Sequence, residues 1–261
     1  MFEDRIIAFV DILGFKNKIE NNFSQSNEME VEKIYRFISF LHEDYDKKIN
    51  DSSYQATQFS DSLVISYKAD EKAAVFKILI DLLYLILEAL KYGFLLRGSV
   101  TVGKLIHDKN HLFGPAMNKV YKNESKIACF PRIILCEELI KIAYKNPIQP
   151  ERAQNEKMII RSLLKRDFDG FYYIDYFIAG AKEIIAENGL ETITVFFDKI
   201  QEIINNNEDT NDVTIIQKYN WLKCKYNTLL RKFKNDDFIK SENNKLLSKY
   251  FINLKEYKMK Y

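Results

Sequence analysis

The stretch FVDILGF at residues 9–15 and the stretch FSDSLVI at residues 59–65 decide the predicted fold of this chain. Each places one carboxylate, Asp11 or Asp61, inside an apolar run that is typical of a buried β-strand. An ionised Asp is costly to bury unless a cation or hydrogen bonds compensate its charge. Two such Asp residues on neighbouring strands therefore predict a site for a hard divalent metal ion, which prefers oxygen ligands.

The residues after the first Asp suggest what else such a site would hold. Gly14 follows the first strand and precedes a helix-forming segment, and Lys16 comes next. Free amides at the start of a helix can cradle phosphate, and a Lys can neutralise it. Taken alone, Asp11 and Gly14 also fit a capped turn, and Asp61 also fits an ordinary hairpin turn. The pair is informative because the length between them suits a crossover back to the neighbouring strand.

Composition excludes several classes of protein. The chain has 261 residues, and its 39 basic and 37 acidic residues nearly balance, which argues against a dedicated nucleic-acid-binding surface. The three Cys residues form no CxxC motif, which favours reduced thiols in a cytoplasmic protein. The three His residues show no zinc-binding spacing. Residues 76–96 are apolar but carry four charges, so they predict a buried helix rather than a membrane span, and no signal peptide is indicated.

Hydrophobic periodicity predicts an α+β fold in residues 1–146, in which a mainly antiparallel sheet is covered by helices. We expect Asp70 to be the N-cap of a long helix that ends near Gly93. The predicted elements are, in order, a strand at 6–12, a helix at 28–48, strands at 54–59 and 63–67, a helix at 70–93, a strand at 94–102, a hairpin turn at 107–111, a helix at 112–124, a strand at 132–135 and a helix at 137–144.

The remainder of the chain, residues 147–261, is predicted to be a mixed, mainly helical extension that packs on the core. Residues 147–157 are polar and indicate a linker. Residues 166–177 are aromatic and strand-like around Asp169 and Gly170, and the sequence after them is helical and rich in Lys and Asn. We therefore predict two domains, residues 1–146 and 147–261.

Four motifs in order resemble the catalytic domain of class III nucleotide cyclases. Residues 9–15 resemble the first metal strand and triphosphate loop of that family, and residues 58–66 resemble its second metal hairpin. Residues 96–103 (LRGSVTVG) resemble the strand that leads to its dimer-facing hairpin, and residues 112–125 (LFGPAMNKVYKNES) resemble the segment with its transition-state residues. The resemblance covers roughly residues 5–136. In their amino-acid residues, the motifs are similar to those of the Pycsar anti-phage pyrimidine cyclases.

The resemblance implies a fold, a chemistry and an assembly. Asp11 and Asp61 would hold two Mn²⁺ or Mg²⁺ ions, with the carbonyl of Ile12 as a further ligand. Gly14, Phe15 and Lys16 would cradle the phosphates of a nucleoside triphosphate. The ribose 3′-hydroxyl would attack the α-phosphate, releasing pyrophosphate. The family forms its sites at the interface of a head-to-tail homodimer, so a partner subunit would complete each site.

Departures from the adenylate-type members of the family bear on the base. Those members have a Lys four residues before the second metal Asp, where this chain has Thr57, and an Asp where this chain has His111. Both adenine-reading groups are therefore absent, which fits a pocket for another base. Tyr54 could stack on the base or donate to it, although a half-buried strand Tyr is the more ordinary interpretation.

Three further residues are candidates for catalytic roles. Asn118 matches the transition-state Asn of the family, while Lys122 replaces an Arg and loses its bidentate geometry. Arg97 is a candidate for the missing cation, although an Arg on a strand can equally be paired with a structural acid.

These features together predict a metal-dependent uridylate cyclase that makes cyclic UMP from UTP as a second messenger in anti-phage defence. The family implies an effector gated by that cyclic nucleotide. The near balance of charge and the charges in residues 76–96 predict no nucleic acid or membrane as partner. The alternatives are a cytidylate or purine nucleotide cyclase, and a non-catalytic cyclase-like domain that serves as a sensor or interaction module.

Overall fold

The computed structural model describes residues 2–24, 28–48, 53–145, 147, 149 and 153–260. It divides the chain into two compact units, Met1–Ile174 and Asp175–Tyr261. The sequence-based division into residues 1–146 and 147–261 remains a prediction about domains. The compact units separate later in the chain, because residues 153–174 supply a helix and two strands to the first unit.

The first unit is built on an eight-stranded sheet with the order β2-β3-β1-β4-β6-β8-β7, and β5 pairs with β4. All pairs are antiparallel except β4 and β6, which are parallel. The strands are β1 Glu3–Ile12, β2 Gln55–Phe59, β3 Ser62–Lys68, β4 Leu96–His107, β5 Leu112–Phe113, β6 Ile133–Leu135, β7 Leu164–Arg166 and β8 Tyr172–Ile174.

Six helices accompany the sheet in the described part of the first unit. They are α1 Phe15–Ser24, α2 Glu28–Lys48, α3 Ala74–Lys91, α4 Pro115–Lys126, α5 Glu137–Lys145 and α6 Ala153–Leu163. The apolar helix α3 packs against β1 and β3, and α4 packs against β4 and β1. The α+β class and the mainly antiparallel sheet, predicted from hydrophobic periodicity, are confirmed.

Alternation along β1 sends successive side chains to opposite faces of the sheet. Ile7 and Phe9 pack with Val64 of β3 and with Ala116 and Val120 of α4 in one buried cluster. Because Asp11 follows Phe9 by two residues, the carboxylate shares the α4 face of the sheet. This register places a charged side chain at the edge of an apolar cluster.

Several predicted boundaries were wrong, for identifiable reasons. Helix α3 begins at Ala74, and its N-cap residue is Ala73 in a left-handed conformation (φ 59°), rather than Asp70. Leu112 and Phe113 form β5 instead of starting a helix, because they pair with Ile106 and His107. Residues 148 and 150–152 of the predicted linker 147–157 lie outside the described residues, and residues 153–157 belong to α6, which begins at Ala153.

The loop around Asp169 and Gly170 has a structural explanation. The Arg132 side chain is fully buried and forms ion pairs with Asp167 and Asp169. The guanidinium also lies over the Phe130 ring, 5.1 Å from its centroid. Two carboxylates therefore compensate one buried cation, as a buried charge requires.

The second unit is helical, with helices α7 Ile178–Asn188, α8 Ile193–Asn205, α9 Val213–Asn235, α10 Asp237–Lys240 and α11 Lys245–Asn253. Its core is aromatic and is centred on Phe197, whose ring lies 5.0 Å from that of Phe251. The segment after α11 lies along α9 in an extended conformation. There the Asn227 side chain both donates to the Tyr257 carbonyl and accepts from its amide, each at 2.9 Å.

Gly98 of β4 lies close to the backbone of β1, which yields a first prediction. A Cβ atom at this position would lie 2.7 Å from the main-chain oxygen of Phe9. We expect Gly98→Ala to destabilise the protein by about 1–3 kcal/mol, because the two strands must separate. Urea denaturation followed by circular dichroism measures this change, and a variant as stable as the wild type would contradict the close approach of the two strands.

Candidate active site

The Asp11 carboxylate is flanked on both sides by polar partners on the neighbouring strands. Asp11 pairs in register with Ser62 of β3 and with Arg97 of β4. The Ser62 hydroxyl donates to Asp11 Oδ1 at 3.1 Å, and Arg97 Nη2 lies 3.4 Å from Asp11 Oδ2. The Asp11 side chain keeps 20% of its surface exposed, so an added ligand could still reach it.

Asp61 lies in the two-residue turn that joins β2 to β3, beside the end of β1. The turn is tight because Ser60 adopts a positive φ of 51°. Burial and, to a lesser degree, the nearby Asp61 charge together raise the pKa of Asp11 to about 6, against the lowering effect of Ser62 and Arg97. The site thus holds more negative charge than its own cation neutralises.

Glu124 is a third carboxylate at this site, and the sequence interpretation did not select it as a site residue. Its side chain is buried on α4, and its Oε1 lies 2.6 Å from Arg97 Nη2. Burial raises the pKa of Glu124, while Arg97 opposes the rise. Ala116, Val120 and Glu124 recur every four residues, so an acid on the buried face of the helix was the available signal.

The glycine turn after β1 leads directly into α1. Gly14 has a φ of 75°, which favours glycine, and its carbonyl accepts from the Lys18 amide at 3.1 Å. The amides of the first turn of α1, which include those of Phe15 and Lys16, have no intrahelical acceptor and can bind an anion. The Lys16 side chain is 84% exposed and lies 3.7 Å from Glu20. This group of residues stays a predicted phosphate cradle.

Ile12 ends β1 next to Asp11, and its side chain is buried on the opposite face. Only its main-chain carbonyl could therefore serve as a ligand. Among the described residues, no three His, Cys, Asp or Glu side chains group as a metal centre. The donor chemistry nevertheless fits a divalent ion, because burial and the neighbouring Asp61 charge both disfavour the ionised form of Asp11, and a bound cation would offset both.

Asn118 and Lys122 lie on the exposed face of α4, one helical turn apart. In the part of the chain that the structure describes, no hydrogen bond or ion pair joins either side chain to Asp11 or Asp61. Tyr121, between them, packs its ring edge-on against Phe9 at 5.4 Å while 55% exposed. A role for Asn118 and Lys122 thus requires that they act on a site outside their own chain, or after movement.

The three candidate base contacts have different environments. Tyr54 is buried on the face opposite Asp11 and packs against Tyr67, with ring centroids 5.3 Å apart, so the structure gives it an interior position. His111 is exposed in the β4–β5 turn, where it lies 3.0 Å from Asp108. Thr57 is half-buried, and its hydroxyl lies 3.0 Å from Nε2 of His107, a residue that the sequence interpretation passed over.

No protein-family model matches the chain, and no curated protein matches it. In fold, the chain is similar to the guanylyl cyclase domain of a RhoGC fusion protein from the aquatic fungus Blastocladiella emersonii, with 14% identity, 66% of this chain and 95% of that chain covered, and a TM-score of 0.45.

The adenylyl cyclase CyaB from P. aeruginosa shows 13% identity, with 67% of this chain and 94% of that chain covered and a TM-score of 0.40. An adenylate/guanylate cyclase/hydrolase from Silicibacter pomeroyi shows 14% identity, with 67% and 95% covered and a TM-score of 0.38. These three similarities, at identities of 13–14%, concern the fold and not the activity of this chain. No helix among the described residues has the length and apolar character to cross a membrane.

Proposed function

We propose that this protein is a metal-dependent nucleotide cyclase that converts a pyrimidine nucleoside triphosphate, UTP, into a 3′,5′-cyclic nucleotide and pyrophosphate. The observation that carries the proposal is the Asp11–Asp61 carboxylate pair at the end of β1, next to the glycine turn that opens α1. Carboxylates for cations and free amides for phosphate are the two groups that a triphosphate substrate needs.

Each residue then has a role in the reaction. Asp11, Asp61 and the carbonyl of Ile12 would hold two Mn²⁺ or Mg²⁺ ions. Such ions, when bound, neutralise the triphosphate and lower the pKa of the ribose 3′-hydroxyl. The amides of Gly14, Phe15 and Lys16 would orient the β- and γ-phosphates. The 3′-oxygen forms a bond to the α-phosphorus, loses its proton to solvent, and displaces pyrophosphate.

Arg97 is the cation at the centre of the site in this chain. Its guanidinium lies between Asp11 and Glu124 and can only donate hydrogen bonds. It would therefore stabilise negative charge that develops near Asp11. Asn118 and Lys122, exposed on α4, would act on the site of a partner subunit in a head-to-tail homodimer.

The pyrimidine substrate and the anti-phage role derive from the motif resemblance. Thr57 and His111 replace the groups that read adenine, which supports a base other than adenine. We infer that the product signals to a separate effector gated by the cyclic nucleotide, in the cytoplasm, without nucleic acid or membrane as partner.

Incubation of the protein with Mn²⁺ and each of the four nucleoside triphosphates, followed by mass analysis of the products, tests this function. We expect cyclic UMP and pyrophosphate. Cyclisation of ATP or GTP alone would refute the pyrimidine assignment. Absence of pyrophosphate release from all four would favour the non-catalytic alternative.

A subunit-mixing experiment tests the composite site. We expect Asp61→Ala and Lys122→Ala to be inactive alone, and their equimolar mixture to recover about a quarter of the wild-type rate. Random pairing gives half heterodimers, each with one intact site of two. Steady-state product formation measures the recovery. Asp61→Ala mixed with Asp11→Ala is the control, because both changes disable the same half-site, and equal recovery there would contradict the shared site.

A further inference from the structure

A buried chain of hydrogen bonds ends on the hydroxyl of Thr57. Arg5 Nε donates to Ser66 Oγ at 2.9 Å, Ser66 Oγ lies 2.8 Å from His107 Nδ1, and His107 Nε2 lies 3.0 Å from Thr57 Oγ1. Arg5, Ser66 and His107 are all buried, while Thr57 is half-buried. We call these four residues the Arg5–Thr57 relay.

Arg5 fixes the direction of the first hydrogen bond in the Arg5–Thr57 relay, and we infer the directions of the other two. A guanidinium only donates, so Ser66 Oγ accepts from Arg5, and its own hydrogen can be donated to Nδ1 of His107. A neutral His107 then carries its proton on Nε2 and donates it to Thr57 Oγ1. Burial, together with the Arg5 charge, lowers the pKa of His107 to about 4, which agrees with a neutral ring.

Thr57 is left with a hydroxyl hydrogen that has no acceptor in the Arg5–Thr57 relay. With its oxygen accepting from Nε2 of His107, the Thr57 hydroxyl can donate this hydrogen outward. A hydroxyl without such a neighbour could rotate and act in either sense. Here a hydrogen bond from Nε2 of His107 favours the orientation in which the Thr57 hydroxyl donates outward.

The same sheet face carries Thr57 and the carboxylate pair. Thr57 pairs with Val64 of β3, and Val64 pairs with Phe9 of β1, two residues before Asp11. Two strand spacings across the sheet and two residues along it separate Thr57 from Asp11, which gives roughly 12 Å between their Cα atoms. A nucleoside whose phosphates lie at Asp11 and Gly14 can span this distance along the face.

We propose that the Arg5–Thr57 relay orients Thr57 as a hydrogen-bond donor that selects a pyrimidine with a carbonyl oxygen at position 4, and so selects UTP over CTP. Oxygen O4 of uracil accepts a hydrogen bond, whereas the N4 amino group of cytosine donates one and would meet another donor. The inference rests on the proposed function and names the base of its substrate. Thr57 touches the base, and His107, Ser66 and Arg5 are positioning residues.

Binding of non-reactive analogues tests the selection without turnover. In these analogues a methylene group replaces the oxygen between the α- and β-phosphorus atoms, so that bond cannot break. By calorimetry, we expect the wild type with Mn²⁺ to bind the uridine analogue at least about tenfold more tightly than the cytidine analogue. Thr57→Val should reduce this ratio to below about threefold, and Thr57→Ser, which keeps the hydroxyl, should restore it.

A second measurement determines which ring nitrogen of His107 carries the proton. The protein has three His residues, so ¹⁵N–¹H correlation spectra of their rings are simple, and His42→Gln and His111→Gln variants identify the His107 signals. At pH 7 we expect His107 to be neutral with its proton on Nε2. A proton on Nδ1, or on both nitrogens, would overturn the inference.

The outcomes separate this inference from the proposed function. Equal binding of both analogues, or tighter binding of the cytidine analogue, would overturn the base selection, even if the protein cyclises a nucleotide. Preferential binding of the uridine analogue that depends on the Thr57 hydroxyl would support the selection, even if no cyclic product forms and the cyclase function fails.

Discussion

Asp11→Asn is expected to lower the rate of Mn²⁺-dependent cyclisation by about 10³-fold or more, while leaving the metal-free protein at least as stable as the wild type. Loss of a metal-binding carboxylate removes several kcal/mol of transition-state stabilisation. Asparagine can still accept the hydrogen bond from Ser62, which is 3.1 Å long in the native protein. The amide also removes the repulsion between Asp11 and Asp61.

The pKa of Asp11 gives the stability effect a direction with pH. Its folded-state pKa is raised to about 6 from 3.8, so the protonated form suits the folded state better. The destabilising effect of the charge is therefore absent below about pH 4 and fully developed above about pH 6. We expect the free energy of unfolding of Asp11→Asn to exceed that of the wild type by about 1–2 kcal/mol at pH 7.5, and by little at pH 4.

Urea denaturation at both pH values, together with the rate of product formation, measures these effects. Asp4→Asn on the same strand is a matched control, because Asp4 is 60% exposed and pairs with Lys104 at the surface. That variant should change neither quantity appreciably. If Asp11→Asn retained activity within tenfold of the wild type, the metal-binding role of Asp11 would be refuted.

Glu124→Ala is expected to destabilise the protein by about 3–5 kcal/mol, because it removes the principal partner of a partly buried cation. Arg97 would keep only its longer contact with Asp11, at 3.4 Å, in place of the 2.6 Å contact with Glu124. The buried Nε of Arg97 already has no hydrogen-bond partner within the described residues. The truncated side chain would also leave a cavity beside Val120.

Glu124→Gln separates charge from shape. Burial raises the pKa of Glu124 even beside Arg97, which means that the charged form is disfavoured there. The neutral amide of Glu124→Gln should therefore lower the free energy of unfolding by only about 1 kcal/mol. Urea denaturation of Glu124→Ala, Arg97→Met and the double variant measures the coupling between the two side chains. Glu20→Ala is the control. It removes the exposed ion pair between Glu20 and Lys16, whose charged atoms lie 3.7 Å apart, and should leave the free energy of unfolding almost unchanged. Additive effects of the Arg97 and Glu124 changes would contradict the ion pair.

Local sequence pattern was a good guide wherever one segment determines its own conformation. The apolar runs around Phe9 and Val64 predicted β1 and β3, and the positive φ of Gly14 agrees with the predicted turn. Local pattern failed where distant partners decide. Leu112 and Phe113 have no strand pattern of their own, and they form β5 because β4 extends to His107 and offers an unpaired edge.

The candidate site shows the same division. The costs of burying Asp11 and Asp61 are visible in the sequence, because each carboxylate adjoins an apolar strand. Glu124 was visible only as an acid on the buried face of α4, and nothing local indicated that its partner would be Arg97, on a strand earlier in the chain.

The sequence by itself determined the α+β class, the two acidic strand ends and the glycine turn, since short-range periodicity and the cost of burying charge are properties of single segments. Only the tertiary structure decided which side chains meet. Strand register brought Ser62 and Arg97 to the two sides of Asp11, and it brought His107 to Thr57. Register is a long-range property, because shifting one strand by one residue moves every side chain to the other face of the sheet.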